Sequence, residues 1–306
     1  MNVLEIQNLS KSFGSHVVIK DLNLVVPENT IFGFIGQNGA GKTTTMKMIL
    51  GLLKKDGGTI KVCGEDVSYG QTDTNRFIGY LPDVPEFYGF MNSLEYLKLC
   101  GKITGMDDKK IQEKSIELLQ LVGLIDVKKK KIRGFSRGMK QRLGIAQALL
   151  HEPKLLICDE PTSALDPLGR KEILDILKAV KEKTTVIFST HVLSDVEKIC
   201  ENIAILKDGE IALSGTLSDI KNNHSVDSIR IEFNHPDDSL NFQQNYQDSC
   251  MLKLESSDTH TIIIHSSHLE KTQSLVYKFL YEKQIFPICV ELQEPTLENL
   301  FLEVIK

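Results

Sequence analysis

Apolar and polar positions alternate along residues 3–9, 17–22 and 24–27, the period-two pattern of strands with one buried face, and they predict an antiparallel entry to the fold. The next segment, Ile31-Phe32-Gly33-Phe34-Ile35-Gly36, is apolar throughout, which predicts a strand buried on both faces. From there the period becomes that of helices, over residues 42–50, 93–104, 108–122, 137–150, 167–181 and 193–200. The β-rich runs at 154–160 (KLLICDE) and 184–190 (TTVIFST) separate these helices. Helices alternating with buried strands predict an α/β fold with a parallel core.

Beyond Asp219 the texture changes. The polar stretch KNNHSVD predicts a turn, and strand patterns SIRIEF, MLKLES and TIIIH follow, then a helix at 268–283, a strand FPICVEL and a last helix after Pro295. These elements predict a small α+β module. Residues 219–306 carry 7 basic and 14 acidic side chains, net −7, against +2 for residues 1–218. This asymmetry supports a boundary that makes 1–218 one domain and 219–306 an accessory one.

The length of 306 residues suits two domains with a real core, and the 41% hydrophobic and 25% charged content is that of a globular chain. Collagen-like, mucin-like and disulfide-dense classes are excluded. A net charge of −5 excludes a dedicated nucleic-acid binder. Cys63, Cys100, Cys158, Cys200, Cys250 and Cys289 are widely dispersed with no C-x-x-C pair, which predicts mostly buried thiols in a reducing compartment. The N-terminus lacks a basic-then-apolar leader and no apolar stretch approaches a bilayer span, so a cytoplasmic chain is expected, reaching a membrane only through a partner.

Candidate chemistry begins where the buried strand meets the first helix. Gly36-Gln37-Asn38-Gly39-Ala40-Gly41-Lys42-Thr43 matches G-x-x-x-x-G-K-[ST], with Thr44 following. Glycines allow positive φ and close approach, so backbone N–H groups converge on phosphate oxygens at the positive end of a helix. Lys42 is expected on the β/γ-phosphates of a nucleotide, and Thr43 offers a hydroxyl to Mg²⁺. Downstream, Leu155-Leu156-Ile157-Cys158-Asp159-Glu160 is an apolar strand ending in two carboxylates. Asp159 is expected near the phosphate-bound Mg²⁺, and Glu160, pointing the other way in an extended chain, is expected to polarise an attacking water.

Between these motifs stands Phe135-Ser136-Arg137-Gly138-Met139-Lys140-Gln141-Arg142, and after them come Ser163-Ala164-Leu165-Asp166 and Ser189-Thr190-His191. In this order the motifs resemble those of the ATP-binding cassette family of transporter ATPases over residues 1 to about 215. The resemblance implies a P-loop NTPase cassette, a RecA-like core with an antiparallel β subdomain and a helical subdomain. It implies that two such domains meet head to tail, each ATP lying between the cradle of one chain and the signature of the other. It further implies that Phe13 stacks on adenine with Val18 alongside, that Ser136 and Gly138 hold the γ-phosphate of the opposite subunit, that Asp166 belongs to the D-loop, and that His191 contacts the γ-phosphate and the attacking water.

Three positions, in two motifs, depart from the family pattern. Arg137 and Met139 stand where glycine and glutamine are usual, and Asp83 stands in Tyr80-Leu81-Pro82-Asp83 where a Mg²⁺-binding glutamine is usual. Asp83 still offers an oxygen ligand. Residues 84–91 are the expected contact with a membrane partner. The ending Glu294-Pro295-Thr296-Leu297-Glu298-Asn299-Leu300-Phe301 is similar to that of exporters of the bacitracin-resistance, lantibiotic-immunity and daunorubicin type. Its Leu297, Leu300, Phe301 and Val304 have the spacing of an amphipathic helix. Lys128 to Lys131 with Arg133 read as a solvated loop, and His224, His235, His260, His265 and His268 as scattered surface residues.

The resemblance therefore implies the ATP-hydrolysing subunit of a membrane exporter, with a polytopic permease on another chain, ATP and Mg²⁺ as cofactors, and an ATP-dependent homodimer. The alternative is a soluble cassette ATPase acting on ribosomes or DNA. About a hundred residues without sustained heptads between cradle and signature, and a single cassette, favour the transporter.

Overall fold

The computed structural model describes residues 2–71, 73–224, 228–246, 251–256, 258–266, 268–293 and 296–305. The chain divides into two compact units, Met1–Leu217 and Ser218–Val304.

The first unit opens with the strands β1 (Asn2–Phe13) and β2 (His16–Pro27), followed by β3 (Ile31–Gly36), α1 (Lys42–Ile49), β4 (Gly57–Val62), β5 (Glu65–Asp66) and β6 (Ile78–Leu81). Next come the helices α2 (Ser93–Ile103), α3 (Asp108–Leu121) and α4 (Arg137–Leu149). The unit closes with β7 (Leu155–Asp159), α5 (Pro167–Val180), β8 (Thr185–Thr190), α6 (Leu193–Ile199), β9 (Asn202–Lys207) and β10 (Glu210–Thr216).

The strands form two sheets. One is antiparallel, in the order β2-β1-β4-β5. The other, in the order β10-β9-β3-β8-β7-β6, is parallel except for β10 at its edge. Strands β3, β7 and β8 are buried at every residue, as their apolar runs require. The carboxyl ends of these three neighbours therefore open onto one crevice, the place where open α/β sheets bind ligands.

Several elements differ from the sequence expectation. Residues 17–27 form a single strand, because the alternation shifts face at Asp21 (φ 44°) instead of ending there. The irregularity is held by Asn8 (φ 49°), whose Nδ2 donates to Asp21 Oδ1 at 2.7 Å. The hairpin β9–β10, turning at Asp208-Gly209, and strands β4 to β6 are additional to the predicted elements. Of the cysteines, Cys158 and Cys200 are buried while Cys63, Cys100 and Cys289 are only partly so, and Cys250 lies outside the described residues.

A polar helix, α7 (Leu217–His224), runs into the stretch expected to turn, whose residues 225–227 lie outside the described ones. The second unit then contains β11 (Ser228–Glu232), α8 (Pro236–Asn245), β12 (Met251–Ser256), β13 (Thr261–Ser266), α9 (Leu269–Glu282), β14 (Cys289–Gln293) and α10 (Leu297–Ile305). Its sheet is antiparallel, in the order β12-β13-β11-β14. Ile229, Ile231, Ile262 and Ile264 pack with Phe242, Val276 and Leu280 of the helices in a separate core. Helix α8 is additional to the prediction; Pro236 at its first turn starts it, and the ring of Phe242 stacks on Tyr246 at 4.7 Å. Leu297 and Leu300 of α10 are buried, while the Glu294-Pro295 step before it lies outside the described residues.

Candidate functional site

Strand β3 delivers the chain into a loop that only glycine could make. Gly39 (φ 86°) and Gly41 (φ 110°) are left-handed, and a side chain on Gly41 would run into Ile19 Cδ1. Gly36 lies so close to β9 that a Cβ would stand 2.7 Å from the Leu206 carbonyl oxygen. Gly41 caps α1 with no side-chain acceptor, and the first turn carries no acidic residue. The amides of that turn thus meet the requirement for an anion at a helix start.

Lys42 folds back beneath this loop. It is buried, and its Nζ donates to the carbonyls of Gly36 at 2.6 Å and Gln37 at 3.2 Å. Burial pushes its pKa below the usual lysine range, against the opposing pull of Glu160 and Asp159. Thr43 Oγ1 donates to Asp159 Oδ2 at 2.8 Å, and Ser189 Oγ donates to Asp159 Oδ1 at 3.0 Å. Both oxygens of the buried Asp159 carboxylate are therefore fixed by hydroxyls from α1 and β8.

Glu160 corrects one expectation. The chain is not extended there: φ is 48°, and its N–H donates to the Ser189 carbonyl at 3.0 Å. This left-handed turn brings the carboxylate to the same crevice as Asp159, where Oε2 lies 2.9 Å from His191 Nδ1 and Oε1 lies 3.7 Å from Lys42 Nζ. Oε1 is buried and has no hydrogen-bond partner among the described residues. His191 reaches this position from the end of β8 with half of its side chain exposed.

Two cavities meet at the loop. One, of about 270 Å³, is lined by the residues 37–39 and 41–44 together with Asp83, Asp159 and Glu160. The other, of about 500 Å³, runs from residues 37–40 to His16, Val17, Val18 and Lys20 of β2 and to residues 206–209 of the β9–β10 hairpin. Phe13 does not line it; its half-exposed ring lies at the end of β1 with Lys11 Nζ 5.2 Å from its centroid. Ser136, Gly138 and Asp166 line neither cavity. Ser136 instead caps α4, accepting from Met139 N at 3.3 Å, and Asp166 caps α5, accepting from Gly169 N at 3.1 Å. His16, Lys20 and the hairpin residues are absent from the sequence-based site; the Asp208-Gly209 dipeptide between the apolar run Ile203–Leu206 and the alternating run Glu210–Thr216 is the signal that marks the hairpin.

The sequence pattern of the family described as "ABC transporter" matches residues 19–163. The chain is 36% identical to the bacitracin transport ATP-binding protein BcrA of Bacillus licheniformis, with 99% of this chain and 97% of that one covered. The chain belongs to the ABC transporter family. It is also 48% identical to the ABC transporter ATP-binding protein YxlF of Bacillus subtilis over 72% of each chain, and 33% identical to the linearmycin resistance ATP-binding protein LnrL of Bacillus subtilis over 99% and 98%. Among solved structures, it is similar to an ATP-binding subunit of an ABC transporter at TM-score 0.66 and 33% identity, covering 72% of this chain and 92% of that one. Similarity to cbiO1 of Clostridium perfringens, part of the transporter complex cbiONQ, has a TM-score of 0.67 at 26% identity over 72% and 90%. The fold is thus the P-loop cassette of ABC ATPases with a small α+β unit after it. ABC ATP-binding subunits bind ATP and pair with membrane permease components, and the matches favour a transporter over a cassette protein of ribosomes or DNA. No helix among the described residues is long and apolar enough to cross a membrane.

Proposed function

We propose that this chain hydrolyses ATP to energise a polytopic exporter encoded on another chain, carrying an antibiotic, peptide or drug out of the cell, and that it works on the inner face of the membrane. Residues 1–218 act as the nucleotide-binding domain and 219–306 as its accessory. The observation that carries this reading is the Glu160 carboxylate, with one oxygen held at 2.9 Å from His191 and the other buried without a hydrogen-bond partner among the described residues. Such an oxygen is poised to take a proton from water.

The remaining parts follow from the cradle. Residues 36–44 wrap the phosphates with backbone amides, and Lys42 turns its ammonium from the Gly36 and Gln37 carbonyls to the β/γ oxygens. Thr43 and Asp159, hard oxygen donors already 2.8 Å apart, suit Mg²⁺, and Asp83 on the same cavity wall is a third oxygen donor for it. The cation supplies charge neutralisation on the phosphates. Glu160 takes a proton from water as the water oxygen attacks the γ-phosphorus; the bond from that phosphorus to the bridging oxygen breaks, and the bridging oxygen leaves with ADP while phosphate is released. His191 orients Glu160 and the γ-phosphate. Val18 and the exposed Phe13 ring receive the adenine.

Ser136 and Gly138, which line neither of the two cavities at the loop, serve the nucleotide of a second copy, and Asp166 holds the D-loop at that junction. ATP thereby joins two chains. Val84, Tyr88 and Phe90, each more than half exposed, form the contact with the permease. Two measurements test the reading. Lys42→Ala is expected to abolish phosphate release and weaken ATP binding, and the tagged chain is expected to co-purify with a polytopic membrane protein. Unchanged turnover in the variant, or recovery with ribosomes instead, refutes it.

A further inference from the structure

Helix α4 lies along the end of β6 with a single stripe of residues, one or two turns apart. Ala148 carries the carbonyl that a side chain on Gly79 would strike, and a Cβ on Gly144 would stand 2.5 Å from Leu81 Cδ1. One turn toward the N-terminus, the buried Gln141 donates from Nε2 to the Asp83 carbonyl at 2.6 Å. A further turn on, Arg137 Nη2 meets Asp83 Oδ1 at 3.4 Å. The backbone at Asp83 is therefore pinned by Gln141 and stiffened by Pro82 and Pro85, while its side chain is half exposed.

That side chain stands between two sites. Asp83 lines the phosphate-side cavity with Thr43, Asp159 and Glu160, and it also lines a neighbouring cavity of about 450 Å³ with Arg137 and Lys140. It is the residue common to both walls. Its pair with Arg137 is half exposed on both sides, and pairs of that kind are weak enough to be exchanged. A divalent cation held by further oxygens is the stronger claimant.

We propose that Asp83 is a two-position carboxylate: it holds Arg137 in the cation-free chain and releases it when a phosphate-bound divalent cation draws the carboxylate across. This rests on the nucleotide-site reading above. Arg137 is the first residue of α4, next to the capping Ser136, where a positive charge opposes the helix dipole and Asp83 offsets it. Release leaves a guanidinium free beside Ser136, at the end of α4 that offers itself to an anion. Filling a chain's own cradle with metal and nucleotide thus raises the affinity of its α4 end for the phosphates of a second chain. Arg137 is a positioning residue, acting through Asp83.

ADP leaves no γ-phosphate to bridge two chains, so its binding to the full chain reads the exchange directly. Affinities are measured by calorimetry with Mg²⁺ and with a chelator, for the unaltered chain and for Arg137→Gln, Arg137→Lys, Asp83→Asn and the Arg137→Gln/Asp83→Asn double variant. Removing the competitor is expected to tighten Mg²⁺-dependent ADP binding by roughly two- to fivefold in Arg137→Gln and to leave chelator values unchanged. Arg137→Lys is expected to restore the original ratio, and Arg137→Gln to have no Mg²⁺-specific effect once Asp83 is asparagine. Asp83→Asn alone reduces the gain that Mg²⁺ gives, a second readout should Arg137→Gln fold poorly. An equal change with chelator, or a Mg²⁺-specific effect that survives in the double variant, overturns the proposal and leaves the nucleotide site intact. An unaltered chain that binds no ADP overturns both.

Discussion

Glu160→Gln separates charge from shape in the crevice. The amide keeps the size of the carboxylate and can still hydrogen-bond His191 Nδ1, now 2.9 Å from Oε2. It cannot accept the proton of water. Loss of a general base lowers turnover by about 10²- to 10⁴-fold, or about 3 to 5 kcal/mol of barrier. The same change removes the partner 3.7 Å from Lys42 Nζ, an attraction of about 4 to 5 kcal/mol at an effective dielectric constant of about 20. If a third of that passes to the bound nucleotide, ATP binds about tenfold tighter. Binding should therefore persist and strengthen as turnover falls, leaving the γ-phosphate in place as the bridge between two chains. Phosphate release, ATP titration and gel filtration read the three effects. The variant is expected to elute as a dimer with ATP and a monomer with ADP, and Ser136→Arg added to it should restore the monomer. Hydrolysis at the parental rate removes Glu160 from the proton transfer, and lost turnover without tighter ATP binding refutes the charge reasoning.

Gly79→Ala should lower Tm by several degrees, because the new Cβ meets the Ala148 backbone, with its carbonyl carbon at 2.9 Å, and such overpacking costs about 1 to 3 kcal/mol; an unchanged Tm shows that β6 and α4 part without cost. A chain ending at residue 219 should fold and bind ATP, since β1 to β10 and both nucleotide-side cavities belong to Met1–Leu217, and an insoluble or nucleotide-blind product contradicts that division. Burial holds the His151 imidazole below its usual range, opposed by the Ile78 carbonyl 3.1 Å from Nε2, so folding disfavours its protonated form. Stability is then intact above the unfolded pKa of about 6.5 and is lost as pH falls through the folded value. His151→Gln should flatten the fall of Tm on acidification, and identical Tm profiles for the two chains refute this.

The parts whose physics is local are legible in the chain of residues alone. A six-residue apolar run, a glycine loop and Lys42-Thr43 specify strand, cradle and helix start, because positive φ, burial and an uncapped helix end are properties of neighbouring residues. The apolar strand ending in Asp159 and Glu160 is equally local, and so are the helix starts at Ser136 and Asp166. Whatever depends on which strand lies beside which comes from long-range packing instead. The parallel order β3-β8-β7 sets Ser189 and Thr43 on the two oxygens of Asp159, and a left-handed residue, which alternation along a strand cannot foresee, turns Glu160 toward Lys42 and His191. The second cavity needs the β9–β10 hairpin beside β2, although those residues are nearly two hundred positions apart in sequence. Asp83 and Arg137, two unusual residues 54 positions apart, become a pair only because α4 packs its small residues against β6. Local patterns fix conformation; contact between distant segments fixes which charges meet.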